Sequence, residues 1–187
     1  MRNLIFSMTA SLDGYTAGPG GDISFSAPDP ELFRFHTERV RELSGHICGR
    51  GLYETMLYWE TPAARAPGQS ADELEFARLW SELPKYVFSR TLETVEGNSV
   101  LLRGELREEV ERLKGEPGGP LEVGGASLAG ELMRLGLIDE YRLFIAPVLL
   151  GGGTPYFPAL ERARELELLE LRTFSDGQVI YARYAPA

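Results

Sequence analysis

The chain has 187 residues, which suits one domain, 1–187, and with 43% hydrophobic, 10% aromatic and 25% charged residues it has the profile of an ordinary globular protein. A formal net charge of -9 repels nucleic-acid phosphates and acidic membrane surfaces, so neither is expected as a partner. Cys48 is the only cysteine and His36 and His46 the only histidines, which excludes an internal disulfide, a cysteine cluster and a histidine-rich metal site; carboxylates remain as a metal option and no metal is assigned. No segment approaches the roughly 20 apolar residues that span a bilayer, and Met1 to Phe6 lead into a strand pattern without a signal-peptide layout, which fits a cytoplasmic protein.

Leu4 to Thr9 reads as a buried strand. From Ser11 to Pro28, Asp13-Gly14, Gly18-Pro19-Gly20-Gly21 and Ala27-Pro28 predict a long irregular loop, and loops of that length tend to be functional. Asp29 as N-cap and Pro30 at the first helical position open a helix to about Leu43, with Phe33, His36, Val40 and Leu43 on one face. A short strand, His46 to Cys48, turns at Gly49-Arg50-Gly51 into a helix from Leu52 to about Trp59. A surface loop from Pro62 to Ser70 precedes a helix near Asp72 to Ser81, and strands follow at Lys85 to Phe88 and Ser99 to Leu102. The charged helix Leu106 to Lys114 is broken by Glu116-Pro117-Gly118-Gly119-Pro120. Strand Leu121 to Val123 leads through Gly124-Gly125 into a helix from Ala126 to Leu135, with Leu128, Leu132 and Leu135 on one stripe and Gly136 as C-cap. Tyr141 to Leu150 is the longest apolar strand pattern, and Leu166 to Phe174 with Gln178 to Tyr184 around Ser175-Asp176-Gly177 reads as an antiparallel hairpin. Alternating strands and helices before a terminal hairpin predict an α/β fold with a largely parallel sheet, whose ligand sits at the C-terminal ends of the strands.

Four of those strand ends carry similar loops: Met8 to Gly14, Cys48 to Gly51, Phe88 to Thr91 and Val123 to Ser127. Gly124 and Gly125 allow close backbone approach, and the helix after them offers unpaired N–H groups to a phosphate. A tight strand-to-helix turn accounts equally well for the diglycine alone. Neither it nor Gly49-Arg50-Gly51 completes the G-x-G-x-x-G fingerprint, so this is not a Rossmann dinucleotide motif. Arg50 and Arg90 stand where they could pair with phosphate, although each taken singly reads more readily as a solvated surface arginine. By the same standard Asp13-Gly14 is a turn, His36 a core histidine, Tyr53, Tyr58 and Trp59 core aromatics, Cys48 a small buried hydrophobe, and Glu105 to Lys114 a solvated face.

The constellation is more specific than its parts. Ser11-Leu12-Asp13-Gly14, Gly49-Arg50-x-x-Tyr53-Glu54, Val87-Phe88-Ser89-Arg90-Thr91-Leu92, Gly124-Gly125-Ala126-x-Leu128, and Ile138-Asp139-Glu140 followed by Pro147-Val148-Leu149-Leu150-Gly151-x-Gly153 stand in the order seen in the dihydrofolate-reductase-like superfamily. From Leu4 to about Phe157 the chain most resembles stand-alone proteins related to the reductase domain of bifunctional riboflavin-biosynthesis enzymes. The resemblance implies a three-layer α/β/α fold with a mostly parallel sheet of about eight strands, NADPH as hydride donor, and a homodimer. It implies that Gly49 and Arg50 meet the cofactor phosphates, that Ser89, Arg90 and Thr91 lie near the adenosine 2'-phosphate, that Gly124, Gly125, Ala126, Ser127 and Leu128 hold the diphosphate, and that Thr9 and Ala10 run past the nicotinamide.

Departures from the family pattern bear on the substrate. The riboflavin-pathway reductases carry Lys after the Ser-x-Asp-Gly motif and Glu before the diglycine, where this chain has Tyr15 and Val123, which argues against their sugar phosphate. The zinc deaminase signature is missing as well. Dihydrofolate reductases place a carboxylate on the first long helix, where this chain presents Phe33, His36 and Val40. The expectation is therefore an NADPH-dependent reductase of an unidentified small aromatic or heterocyclic substrate. Asp13, Tyr15, Phe33 and His36 are the candidate substrate contacts, and Asp13, His36 or bound water the candidate proton donor. The alternative is a nucleotide or small-molecule binding protein that keeps the fold with little turnover.

Overall fold

Strand β1 (Leu4–Ser11) begins with Leu4, Ile5 and Phe6, each 1% exposed or less, so it needs apolar cover on both faces. Helices on both sides of the sheet supply it. The computed structural model describes all 187 residues. After β1 it carries β2 (Tyr15–Ala17), α1 (Pro30–Glu42), β3 (Gly45–Gly49), α2 (Arg50–Met56), α3 (Ala71–Glu82), β4 (Lys85–Phe88), β5 (Ser99–Leu102), α4 (Leu106–Gly115), β6 (Leu121–Gly124), α5 (Ala126–Arg134), β7 (Glu140–Ala146), β8 (Thr154–Pro155), β9 (Leu166–Phe174) and β10 (Val179–Pro186). Eight strands form one sheet in the order β5-β4-β3-β6-β1-β7-β10-β9, parallel throughout except where β10 pairs with β7 and β9. This is the three-layer architecture expected, with the C-terminal hairpin at one edge.

The two faces of the sheet differ in chemistry. Leu4, Phe6, Ile47, Leu121 and Val123 join Val110 and Leu113 of α4 and Ala129, Leu132 and Met133 of α5 in the largest apolar cluster. On the opposite face the register sets Lys85, His46 and Glu122 side by side on β4, β3 and β6, with Glu140 of β7 beyond Ile5. There α1 packs Leu32 against Phe144, Phe174 and Tyr181, and α3 lays Trp80 against His46 with ring centroids 5.0 Å apart. A row of ionisable groups thus crosses a face that helices cover.

Local chemistry explains most element boundaries. Asp29 caps α1 by accepting the Leu32 amide at 2.8 Å, and Ser70 and Glu73 close a reciprocal capping box on α3. Gly49 is the N-cap of α2, so that helix starts at Arg50 rather than Leu52, and from Leu57 to Glu60 it tightens into a 3-10 turn. Strand β7 ends at Ala146 although the apolar pattern runs on to Leu150. Pro147 has no N–H for the ladder, and the amides of Leu150 and Gly151 donate instead to Asp13, at 3.1 and 2.7 Å. The expected irregular loop from Ser11 to Pro28 contains two 3-10 turns and strand β2, which pairs with β8.

Candidate functional site

Strands β4, β3, β6 and β1 are neighbours, so the four similar loops at their C-terminal ends share one edge of the sheet. Cys48 is level with Gly124, and Gly49 with Phe88, which gathers Gly49-Arg50, Ser89-Arg90-Thr91 and Gly124-Gly125. Gly49 and Gly125 are the N-caps of α2 and α5, and neither helix start is satisfied by a capping side chain, in contrast to α1 and α3. Their leading amides, including those of Ala126, Ser127 and Leu128, are available to an anion. Gly124 is required by space, since a Cβ there would overlap Leu52 and stand 2.9 Å from His46 Cε1; Gly125 is required by its φ of +88°.

Around this edge, Arg50 is exposed, pairs with Glu54 at 2.7 Å and reaches Thr91 Oγ1 at 3.3 Å. Ser89 Oγ accepts the amides of Thr91 and Leu92, a turn that leaves Arg90 exposed. Thr9 and Ala10 lie beyond the last β1–β6 pair, Phe6 with Val123, on a stretch of β1 that pairs with β7 alone.

Next to this edge, and sharing Gly124 with it, is a cavity of about 300 Å³. Phe33 from α1, Trp59 from the turn after α2, and Phe76 and Trp80 from α3 form aromatic walls. The ring centroids are 5.4 Å apart for Phe33 and Phe76, 4.7 Å for Trp59 and Phe76, and 6.0 Å for the parallel pair Phe76 and Trp80. A buried ion pair keeps this wall in place: Lys85 Nζ lies 2.9 Å from Glu60 Oε1 and donates to the Trp80 carbonyl at 2.9 Å, tying the Trp59 turn to α3.

The floor of the cavity is polar. Ser7, His46 and Glu122 rise from the strands, and α1 adds His36 and Arg39. Arg39 donates to Glu122 Oε2 and to the Tyr181 hydroxyl, both at 3.3 Å. His46 Nε2 is 4.0 Å from Glu122 Oε1, and its Nδ1 is buried without a hydrogen-bond partner. Burial, helped by Lys85, holds His46 down to about 3; burial, helped by Arg39, holds His36 down to about 4, so both rings are neutral near pH 7. Burial pushes the Glu122 carboxyl up against the pull of Arg39.

The candidate residues separate in space. Phe33 and His36 line the cavity, whereas Asp13 and Tyr15 are not among its walls. Asp13 accepts from Ser11 Oγ, Leu150 N and Gly151 N, bonds led by that of Ser11 that hold its carboxyl below the usual range. It latches the first loop onto the segment before β8. The residues that sequence inspection passes over are Arg39, His46, Trp59, Phe76, Trp80 and Glu122. One signal for Glu122 was available: a carboxylate inside a short apolar strand leading straight into a diglycine.

A model of the RibD C-terminal domain matches residues 2–180. Two proteins of Bacillus subtilis (strain 168) are similar over nearly all of the chain. The uncharacterized protein YyaP is 32% identical over 183 residues, covering 96% of this chain and 94% of its own, and the uncharacterized protein YwjB is 33% identical over 189 residues, covering 100% and 99%. Among solved structures, a putative riboflavin biosynthesis protein from Shewanella sp. PV-4 superposes with a TM-score of 0.75 over 100% of this chain and 99% of that one, at 22% identity. Dihydrofolate reductase from Enterococcus faecalis, complexed with NADP(H), gives 0.62 over 98% and 96%, at 12% identity. At these identities the structures speak for the fold, while the family match and the Bacillus relatives speak for descent. The chain belongs to the RibD C-terminal domain family, a family of reductase type, and it has the dihydrofolate-reductase-like fold.

Proposed function

We propose that this protein is an NADPH-dependent reductase that transfers a hydride to a small aromatic or heterocyclic substrate. The observation that carries the reading is the junction of two unlike sites at Gly124: a cationic, glycine-lined edge with two uncapped helix starts, and an aromatic cavity with a polar floor. The residues at the edge fit a dinucleotide. Gly124 to Leu128 and Gly49-Arg50 would hold the diphosphate, Ser89, Arg90 and Thr91 a 2'-phosphate, and the β1 stretch at Thr9 and Ala10 the nicotinamide. When bound, the cofactor supplies the hydride; the chain positions both partners and shuts out water. Phe33 and His36 contact the substrate in this reading, and Asp13 and Tyr15 act on the loop beside it. The working unit is a homodimer.

Titration with NADPH against NADH tests the cofactor assignment. NADPH should bind at least about tenfold more tightly, and Arg90→Ala should remove most of that preference. Failure to bind either dinucleotide, or equal binding untouched by Arg90→Ala, sinks the assignment. A panel of quinones, pterins and nitroaromatics separates a reductase, which oxidises NADPH with some member, from a binding protein, which does not.

A further inference from the structure

We propose that Glu122 is the acid of this site, meeting the ring nitrogen of a flat, uncharged heterocycle held between the aromatic walls and protonating it as the hydride arrives; the inference rests on the reductase reading above. The geometry selects Glu122 among the available groups. It stands on the cavity floor in the same strand as Gly124, where the dinucleotide edge and the cavity meet. Arg39 holds its Oε2 at 3.3 Å, whereas Oε1 has no hydrogen-bond partner in the protein and His46 Nε2 lies 4.0 Å away. One oxygen is positioned and the other is left for a ligand.

The competing proton donors are poorly suited. Asp13 is an ionised acceptor committed to the Leu150 and Gly151 amides. The His36 and His46 rings, buried and each beside a cation, are neutral near pH 7 and have no imidazolium proton to give. Burial pushes the Glu122 carboxyl up, with Glu140 adding to the effect and Arg39 opposing it, which keeps a proton on it at higher pH than a surface glutamate holds one.

The walls set the substrate class. Four aromatic side chains and Met56 favour a flat, uncharged ring system, and the Arg39 guanidinium is already engaged by Glu122 Oε2 and the Tyr181 hydroxyl. In the step proposed, hydride adds to the carbon of a C=N bond, the π electrons move to nitrogen, and the Glu122 proton is transferred to that nitrogen. The heterocycle gains the two electrons of the hydride, which a dihydronicotinamide, when bound, would supply and so be oxidised, and the Glu122 carboxylate, facing Arg39, regains its proton from solvent.

Trp59 and Trp80 are the only tryptophans of the chain and both line the cavity, so their fluorescence reports its occupancy without any cofactor. The probes are quinazoline, 1,4-naphthoquinone and naphthalene, alike in shape and differing in the atom offered to Glu122. Quinazoline should quench the wild type with at least about tenfold higher affinity than naphthalene, and Glu122→Gln should reduce that advantage to about twofold or less. In the wild type the advantage should fade as pH rises above the ordinary glutamate range and the Glu122 carboxyl loses its proton. Of the groups facing Glu122, His36 and His46 stay neutral there and burial keeps Tyr156 protonated; Arg39 and Lys85 are the basic neighbours, and the Glu140 carboxyl, paired with Arg142 and Arg183, is also pushed up by burial, so the part of the pH dependence that Glu122→Gln removes is the part that belongs to Glu122. NADPH oxidation with quinazoline should fall about 100-fold in kcat in Glu122→Gln with KM changed far less, and Glu122→Asp should recover part of it.

Glu122→Gln that binds and turns over like the wild type overturns the proposal. So does a wild type that none of the probes quenches, or one that prefers naphthoquinone to quinazoline. Quinazoline binding that depends on Glu122 and pH without any NADPH oxidation supports the contact and overturns the reductase reading instead.

Discussion

His46 shows how one residue's charge state follows from its place in the sheet. It lies between Lys85 and Glu122 in a row across three parallel strands, under Trp80 and only 5% exposed, where a cation is poorly solvated. Its pKa in the folded protein, about 3, is below the ordinary 6.5, so between those values the unfolded chain binds a proton that the native one does not. Stability therefore falls as pH is lowered through that window, by up to about 1.4 kcal/mol per pH unit for this ring. Denaturant titrations of His46→Asn and wild type should show a shallower loss in the variant between about pH 6.5 and 5; parallel curves would mean that the native ring titrates normally. Glu122 and Glu140, whose carboxyls burial pushes up, act in the opposite sense, but both are present in the two proteins compared. Nothing in the sequence around His46 announces this, because the residues that desolvate it come from β4, β6 and α3.

At the level of elements, Asp13 joins two segments that sequence inspection keeps apart. The Ser11-Leu12-Asp13-Gly14 and Gly151-x-Gly153 motifs form one unit, in which Asp13 holds the Leu150 and Gly151 amides and Gly153, at φ +127°, lies so close to the Ala17 carbonyl that no side chain fits. Asp13→Ala should let the Leu150 and Gly151 amides exchange with solvent about tenfold faster or more, while the amides of the β1–β6 ladder keep their protection. Unchanged protection at those two amides would show that the latch is held elsewhere. The density of glycine and proline between Ser11 and Pro28 marked this region as a loop, and capping chemistry placed the start of α1 at Pro30. The early end of β7 was not legible, because an apolar pattern continues through Pro147 and only the Asp13 contact shows where its amides go. Likewise, the face of α1 that carries Phe33, His36 and Val40 reads as a core stripe, and it is the packing of α3 opposite that leaves a cavity there.

For the whole molecule, the sheet ends at β9, an edge strand whose Leu166, Leu168 and Leu171 are 36%, 51% and 61% exposed, with Ile180 of β10 at 38%. The register puts these four on one face, opposite Pro186, Tyr184, Ala182 and Thr173 respectively. Such a patch on an uncovered edge suits a second copy of the chain. Light scattering should give twice the mass of a 20.7 kDa chain, and Leu171→Glu should yield a folded monomer; a monomeric wild type would remove the homodimer from the proposal. At this scale sequence and structure divide the work cleanly. The alternation of strands and helices, the caps and the glycine turns determined the α/β class, most elements and the loops at the dinucleotide edge, because those signals act between neighbours in the chain. What only the tertiary structure decided is the floor of the cavity. Arg39, His46 and Glu122 come from three elements, and each acquires its meaning from desolvation and from the charge beside it, which depend on the sheet order β3-β6-β1 and on the helix laid across it.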